Sequence, residues 1–259
     1  MKIFTFWEPV ENMPEYIKLC IDTWRKFLPE YEIIILDYKT LDKWLGKDYY
    51  DKILYKKFSL PKQADAIRCA LLSKYGGIWM DADTIITSSK VRDLLKNSSD
   101  FTIVGKHIAF IVANTNSKIL EKWQKGIFNN LREFKYCRKI YKLFCKKKYK
   151  LINRWDYLGN GILDKFLENA TEKEFYSIDA SQNSIFPEKV WNNDPKMKPR
   201  ELYTDFYFNN SFSLDFLEKN CGMILLHNSW TPDEYKNMTQ EKFLEQDITL
   251  AKILKKVME

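Results

Sequence analysis

The chain has 259 residues and a mass of 31.1 kDa, of which 45% are hydrophobic, 15% aromatic and 30% charged. That is enough apolar matter for one sizeable core and too short for two full domains, so a single domain with a modest insertion is expected. Only 8 Gly and 8 Pro exclude collagen-like and low-complexity chains, and no apolar run reaches the roughly 18 residues that cross a bilayer.

The net charge of +7 is concentrated in one place: residues 132–154 hold ten Lys or Arg against Glu133 alone, a local charge of +9 that leaves −2 for everything else. The opening MKIFTFWEPVENM turns polar after six residues, with no signal-peptide core or small-residue cleavage site, so a cytoplasmic protein is expected. Cys20, Cys69, Cys137, Cys145 and Cys221 are widely spread and form no CxxC pair, which implies a reducing compartment and no zinc site.

In chain order, residues 2–6 read as an apolar strand, 14–27 as an amphipathic helix and 31–36 as a buried strand ending at Asp37, a βαβ opening. The unbroken run Ile33-Ile34-Ile35-Leu36 suggests a strand covered on both faces, as in a parallel sheet. Residues 40–58 are polar and aromatic. A helix over 60–75 is then marked by Ser59 as cap, Pro61 in the first turn and Gly76-Gly77 at the end. Residues 78–80, 101–104 and 108–113 read as strands, and 117–148 as largely helical, carrying the basic segment. Gly159-Asn160-Gly161 breaks the chain before another helix. Residues 181–210 are expected to be irregular, 223–226 a buried strand, and 239–257 a closing helix.

The most informative stretch is Gln63-Ala64-Asp65-Ala66-Ile67-Arg68, followed after one helix by Tyr75-Gly76-Gly77-Ile78-Trp79-Met80-Asp81-Ala82-Asp83. Two carboxylates one residue apart beyond an apolar strand point the same way along an extended backbone, and their convergence on a pocket calls for a cation. Hard oxygen ligands suit Mg²⁺ or Mn²⁺, which keep waters and bind substrate phosphates, so a nucleotide diphosphate is the natural third party. On the preceding helix Ala64, Ile67 and Leu71 form the apolar stripe, and Asp65 and Arg68 sit at its edge beside Leu72. The simple alternative is a solvated i,i+3 ion pair worth about 0.2 to 0.5 kcal/mol.

The run ADAIRCALLSKYGGIWMDADT resembles the DXD signature of a retaining sugar-transferase family that includes fungal outer-chain mannosyltransferases, bacterial capsular polysaccharide synthesis transferases and the catalytic domain of the large glucosylating toxins. The resemblance extends from Ile3 through Asp83 and again around Trp230. It implies an α/β chain of the GT-A fold, a Rossmann-like nucleotide-binding sheet, here with a helical basic insertion at about 117–154. The implied activity moves a hexose from a nucleotide diphosphate sugar, a UDP-sugar first of all, to a hydroxyl of a growing glycan, with Mn²⁺ or Mg²⁺ as cofactor. The same resemblance assigns Asp65 and Arg68 to donor sugar and phosphates, Asp81 to ribose and sugar, and Asp83 to the metal. Trp7, at the end of the first strand, is the base-stacking candidate. His227, directly after a buried strand, is a second metal-ligand candidate, and the indole N–H of Trp230 would reach the diphosphate. Asn160 is a donor-sugar or acceptor contact, although relatives carry Pro where this chain has Gly161. His107 has no such context.

No residue stands out as general base, which is compatible with retention by a front-face reaction. A toxin-like transferase acting on a protein side chain is the alternative enzyme. A nucleic-acid binder would use Tyr136, Tyr141, Phe144 and Tyr149 between the cations but leaves the DXD region unexplained, so no nucleic-acid partner is expected. The basic segment points instead to an anionic membrane surface presenting a lipid-linked acceptor, which would place the chain peripherally on the inner face.

Overall fold

A computed structural model describes residues 1–47, 49–50, 56–96, 99–105, 107–179, 198–209 and 211–259. The opening βαβ unit is as expected: β1 (Lys2–Phe6), α1 (Glu15–Phe27) and β2 (Glu32–Leu36), the strands parallel in register Ile3↔Ile33. A capping box at Asp37, whose carboxylate accepts the Thr40 N–H at 2.8 Å, starts α2 (Tyr38–Leu45), which runs into the polar, aromatic stretch 40–58. The helix α3 (Leu60–Tyr75) has the predicted bounds, although Ser59 makes no side-chain capping bond. It ends at Gly76 and Gly77, with φ of 61° and 100°. A Cβ at Gly77 would stand 2.7 Å from the Lys2 carbonyl oxygen, so this glycine lets β3 (Gly77–Met80) close onto β1.

Beyond β3 come β4 (Thr84–Ile86), α4 (Val91–Leu95), β5 (Phe101–Val104) and β6 (His107–Ala113). The long α5 (Lys118–Phe144) breaks at Cys145 and continues as α6 (Lys146–Asn153), so the predicted helical stretch is two helices. After α7 (Asn160–Leu167) and β7 (Tyr176–Ile178), residues 181–197 and 210 of the expected irregular segment lie outside the described residues. Its remainder is helical, not irregular: α8 (Pro199–Thr204) runs into a π turn (Asp205–Asn209) that buries Phe206, Tyr207 and Phe208.

Then follow α9 (Phe216–Lys219), β8 (Met223–Leu225), a 3₁₀ turn (Asn228–Trp230) and α10 (Asp233–Lys236). The expected single closing helix is two, α11 (Gln240–Leu244) and α12 (Thr249–Met258), because Ile248 between them is extended (φ −127°, ψ 154°). Among the described residues no helix is long and apolar enough to cross a membrane.

The main sheet has the order β2-β1-β3-β6-β5-β7 and is mixed: β2-β1-β3 are parallel, while β6 runs antiparallel to β3 and β5. The expected α/β class is met, and β2 pairs in parallel with β1 as expected, but it is not covered on both faces. β2 is an edge strand with Ile33 and Ile35 only half-buried, whereas β1 and β3 are buried on both faces. One core, on the side of α1 and α12, holds Tyr16, Trp24, Phe243 and Leu254. The other, beneath α3, α5 and α7, holds Ile67, Leu71, Trp123 and Leu163. A second small sheet pairs β4 with β8 antiparallel and brings the last third of the chain back beside the end of β3.

Candidate active site

The link between β3 and β4 is Asp81-Ala82-Asp83. The Asp81 N–H donates to the Ala109 carbonyl at 2.7 Å, and the Asp81 carbonyl accepts the Thr84 N–H at 2.9 Å, so the two aspartates sit on a tight turn and not on the extended backbone expected. The reason is topological: the chain must leave the main sheet after Met80 to pair with β8.

Arg68 stands at the centre. Its Nη2 lies 3.3 Å from Asp65 Oδ1 and 3.2 Å from Asp81 Oδ1, its Nε donates to the Ala64 carbonyl at 3.3 Å, and its Nη1 donates to the Ile108 carbonyl. The guanidinium also lies 4.9 Å from the centre of the Trp79 ring. Asp65 and Arg68 are each 5% exposed, which rules out the solvated surface pair. Asp83 is held from the other side: the Asn228 N–H donates to its Oδ2 at 2.7 Å and the Leu226 N–H to its carbonyl at 3.2 Å, so His227 lies between two bonds to Asp83.

Three buried tryptophans fix this geometry, each through its indole N–H. Trp24 donates to the Thr84 carbonyl, Trp79 to Asp81 Oδ1 and Trp123 to the Leu158 carbonyl, all at 2.7 Å. A buried donor without a partner costs about 1 to 3 kcal/mol, so each bond selects one position for the segment it touches. The Leu158 bond seats the loop before α7, where a Cβ on Gly159 would lie 2.4 Å from Asp65 Oδ2. The N–H groups of Gly159 and Gly161 both donate to the Asp156 carbonyl at 3.0 Å. A proline at 161 could not make that bond, which accounts for the departure from the resembling pattern.

The electrostatics follow from three carboxylates around one guanidinium. Burial pushes Asp65 up to about 7, opposed by Arg68 and reinforced by Asp81 and Asp156. Burial and the neighbouring Asp81 charge push Asp83 up to about 7, and burial raises Asp81 against the pull of Arg68 and the Trp79 N–H. His227 is driven down to about 4 by burial and by His107, so its imidazole is neutral near pH 7 and keeps a lone pair for a ligand. The cluster therefore lacks positive charge. Among the described residues no group of three or more His, Cys, Asp or Glu side chains could cage a metal. The donor set fits Mg²⁺ or Mn²⁺, which take one or two carboxylates and complete their shell with water and phosphate oxygens.

Trp7 follows β1; extending the register Phe4↔Trp79 brings it to the sheet end that carries Asp81. Trp230 packs on His227 with ring centroids 4.2 Å apart, and Asn160 opens α7 next to the glycine that abuts Asp65. Three residues that no motif flagged also arrive here. The His107 ring lies 6.4 Å from that of His227, Tyr203 accepts the His227 N–H on its hydroxyl at 3.1 Å, and Asp156, 5% exposed, adds to the upward push on Asp65 by opposing its ionisation. The one available signal was Gly159-Asn160-Gly161, which marked the Asp156 loop without naming the aspartate.

Fold and site together define an α/β chain whose polar centre collects where a mixed sheet ends, with carboxylates in excess of cations. Residues 1–193 match the sequence model of the capsular polysaccharide synthesis protein family. The chain belongs to that family, the capsular branch of the sugar-transferase group that its DXD segment resembles. Among curated proteins none matches the sequence. Of solved structures, the chain is similar to the galactosyltransferase LgtC in complex with donor and acceptor sugar analogs (12% identity, TM-score 0.44, covering 97% of this chain and 95% of that one). It is also similar to the glycosyltransferase GlyE of Streptococcus pneumoniae TIGR4 (12% identity, TM-score 0.43, 98% and 62%). A third likeness is to the PaToxG glycosyltransferase (19% identity, TM-score 0.35, 67% and 81%).

Proposed function

We propose that the chain is a glycosyltransferase of the GT-A type, one domain with α5–α6 as a helical insertion, that moves a hexose from a UDP-sugar to a hydroxyl of a growing, lipid-linked surface glycan. The observation that carries this reading is the buried Arg68 ion-paired to both Asp65 and Asp81, with Asp83 two residues further on and short of a cation.

Each residue then has a role. Trp7 stacks on the uracil. Four acceptors already take most of the N–H groups of Arg68, so it acts first as the counter-ion that aims Asp65 and Asp81 at the sugar hydroxyls, and second as positive potential for the diphosphate. Asp83 and neutral His227 hold Mn²⁺ or Mg²⁺, and Tyr203 fixes the backbone of His227. When bound, the ion supplies Lewis-acid neutralisation of the charge on the diphosphate. Trp230 steadies the leaving group, and Asn160 borders the sugar. With no separate base in this set, retention by a front-face reaction is the stereochemical expectation.

A thermal-shift panel of nucleotide sugars, with and without Mn²⁺, tests the reading, because a ligand bound only to the native state raises the melting temperature as RT ln(1 + [L]/Kd). A shift that needs both Mn²⁺ and a nucleotide diphosphate sugar supports it, and half-saturation at higher Mn²⁺ in His227→Ala supports that ligand. A panel with no shift for any donor would overturn it.

A further inference from the structure

The helix α5 leaves the body of the protein partway along its length. Trp123, Ile127, Leu131 and Phe134 are buried at helical spacing, and Phe134 packs on Phe58 with ring centroids 4.5 Å apart. Past that contact the pattern inverts: Ile140 is 55% exposed, Leu143 74% and Phe144 83%. The chain turns at Cys145, and α6 folds back onto α5 with Ile152 buried, leaving Leu151 49% and Trp155 71% exposed. Around these apolar side chains Lys142, Lys146, Lys147, Lys150 and Arg154 are exposed, within the segment that carries +9.

Large exposed apolar side chains at a helix turn, here Leu143 and Phe144, are rare on a protein surface unless something covers them, and Leu151 and Trp155 continue them toward the body, where Lys62 Nζ donates to the Ile152 carbonyl at 3.4 Å. Here the cover must be apolar at its centre and negative around it. An anionic bilayer has both properties, since its headgroups attract Lys and Arg while aliphatic and aromatic side chains settle at the acyl boundary. A nucleic acid matches the charge only: Ile140, Leu143 and Leu151 are aliphatic and gain nothing from base stacking. The side chains of Tyr136, Tyr141 and Tyr149, which the nucleic-acid reading would use, lie outside the described residues.

From this we infer that the α5–α6 hairpin is a docking tip that inserts Leu143 and Phe144 into an anionic membrane surface. The tip is coupled to the site. At its base Asn130 Nδ2 donates to the Tyr157 carbonyl at 2.8 Å, and Trp123 donates to the Leu158 carbonyl, next to the Gly159 that abuts Asp65. A hairpin anchored in lipid thereby holds the cleft at a fixed height above the membrane, where a lipid-linked acceptor is presented. That last clause rests on the transfer reading; the docking itself does not.

Co-sedimentation with vesicles of phosphatidylcholine alone, and of phosphatidylcholine mixed with phosphatidylglycerol, tests the inference. The full chain is expected to bind the mixed vesicles in a salt-sensitive way. Leu143→Ser with Phe144→Ser, and separately Lys142, Lys146, Lys147 and Lys150 each changed to Glu, should weaken binding by about tenfold or more. These positions are exposed, so circular dichroism should be unchanged, and all variants should keep the Mn²⁺-dependent donor shift. Loss of the donor shift in the wild type with vesicle binding intact would sink the transfer reading alone. Equal recovery on both vesicle types, or a gel shift of single-stranded oligonucleotide in place of vesicle binding, would overturn the docking.

Discussion

The backbone N–H of Asn228 donates to Asp83 Oδ2 at 2.7 Å, across 145 residues of sequence. That bond turns a two-aspartate motif into a site, because it brings His227, Trp230 and, through its hydroxyl, Tyr203 against the end of β3.

Arg68 has four acceptors and an aromatic face around it, a set that the single ammonium of Lys cannot match. Arg68→Lys is expected to lower transfer by about tenfold or more, roughly 1.4 kcal/mol in barrier terms. Arg68→Ala leaves Asp65 and Asp81 uncompensated and should also destabilise the fold by about 3 to 5 kcal/mol. Near-wild-type kinetics in Arg68→Lys, paired with ordinary urea midpoints for both variants, would mean that the ion pairs carry neither function nor stability.

Gly159→Ala places a methyl 2.4 Å from Asp65 Oδ2 and 2.9 Å from Ile108 Cδ1. The loop must back away at a stability cost of about 1 to 3 kcal/mol, and because it moves off Asp65, donor affinity should drop as well. Gly126→Ala is the comparison: the atoms nearest its methyl belong to the Ile162 side chain, the closest 2.4 Å away, and none of them to a carboxylate. It should cost stability and leave the donor shift intact. Equal loss of donor binding in the two variants would detach the Gly159 loop from the site.

Asp65 and Asp83 both stand at about 7 in the folded chain, above the ordinary 3.8 of an aspartate. A raised carboxyl keeps its full contribution to stability below the unfolded value and loses it as pH rises through the folded one. The metal-free chain should therefore lose melting temperature between about pH 4 and pH 7, the interval between the ordinary and the raised carboxyl values. Asp83→Asn should flatten that slope, and Mn²⁺ with UDP should offset it most at the alkaline end. A melting temperature that is level or rising across this window would contradict the charge deficit.

The carboxylates and the arginine were legible because their carriers are local: an i,i+3 pair on a helix that Gly76-Gly77 ends, and two residues following one strand. The same is true of the βαβ opening, where period and strand content agree. His107, Tyr203 and Asp156 were hidden, since each reaches the cluster only through tertiary packing. β4 and β7 span three residues apiece, too few for an alternation to show. The break before α12 was masked by a helical pattern running through it, while Asp247 instead pairs with Lys252 at 3.0 Å and accepts from Ser211. Aromatic density near 206 suggested irregularity, yet Phe206, Tyr207 and Phe208 are all core residues on a π turn.

The most direct test of the central claim is UDP release from a donor sugar by wild type and Asp83→Asn, each titrated with Mn²⁺. Asn is nearly isosteric with Asp and still accepts the Asn228 N–H on its amide oxygen, so the fold is kept while the charge that binds the cation is removed. The account predicts that wild type releases UDP only with Mn²⁺ present, and that Asp83→Asn melts normally but releases at least about a hundredfold less at every metal concentration. Matching release by the two proteins, or release by wild type that is indifferent to Mn²⁺, would contradict it.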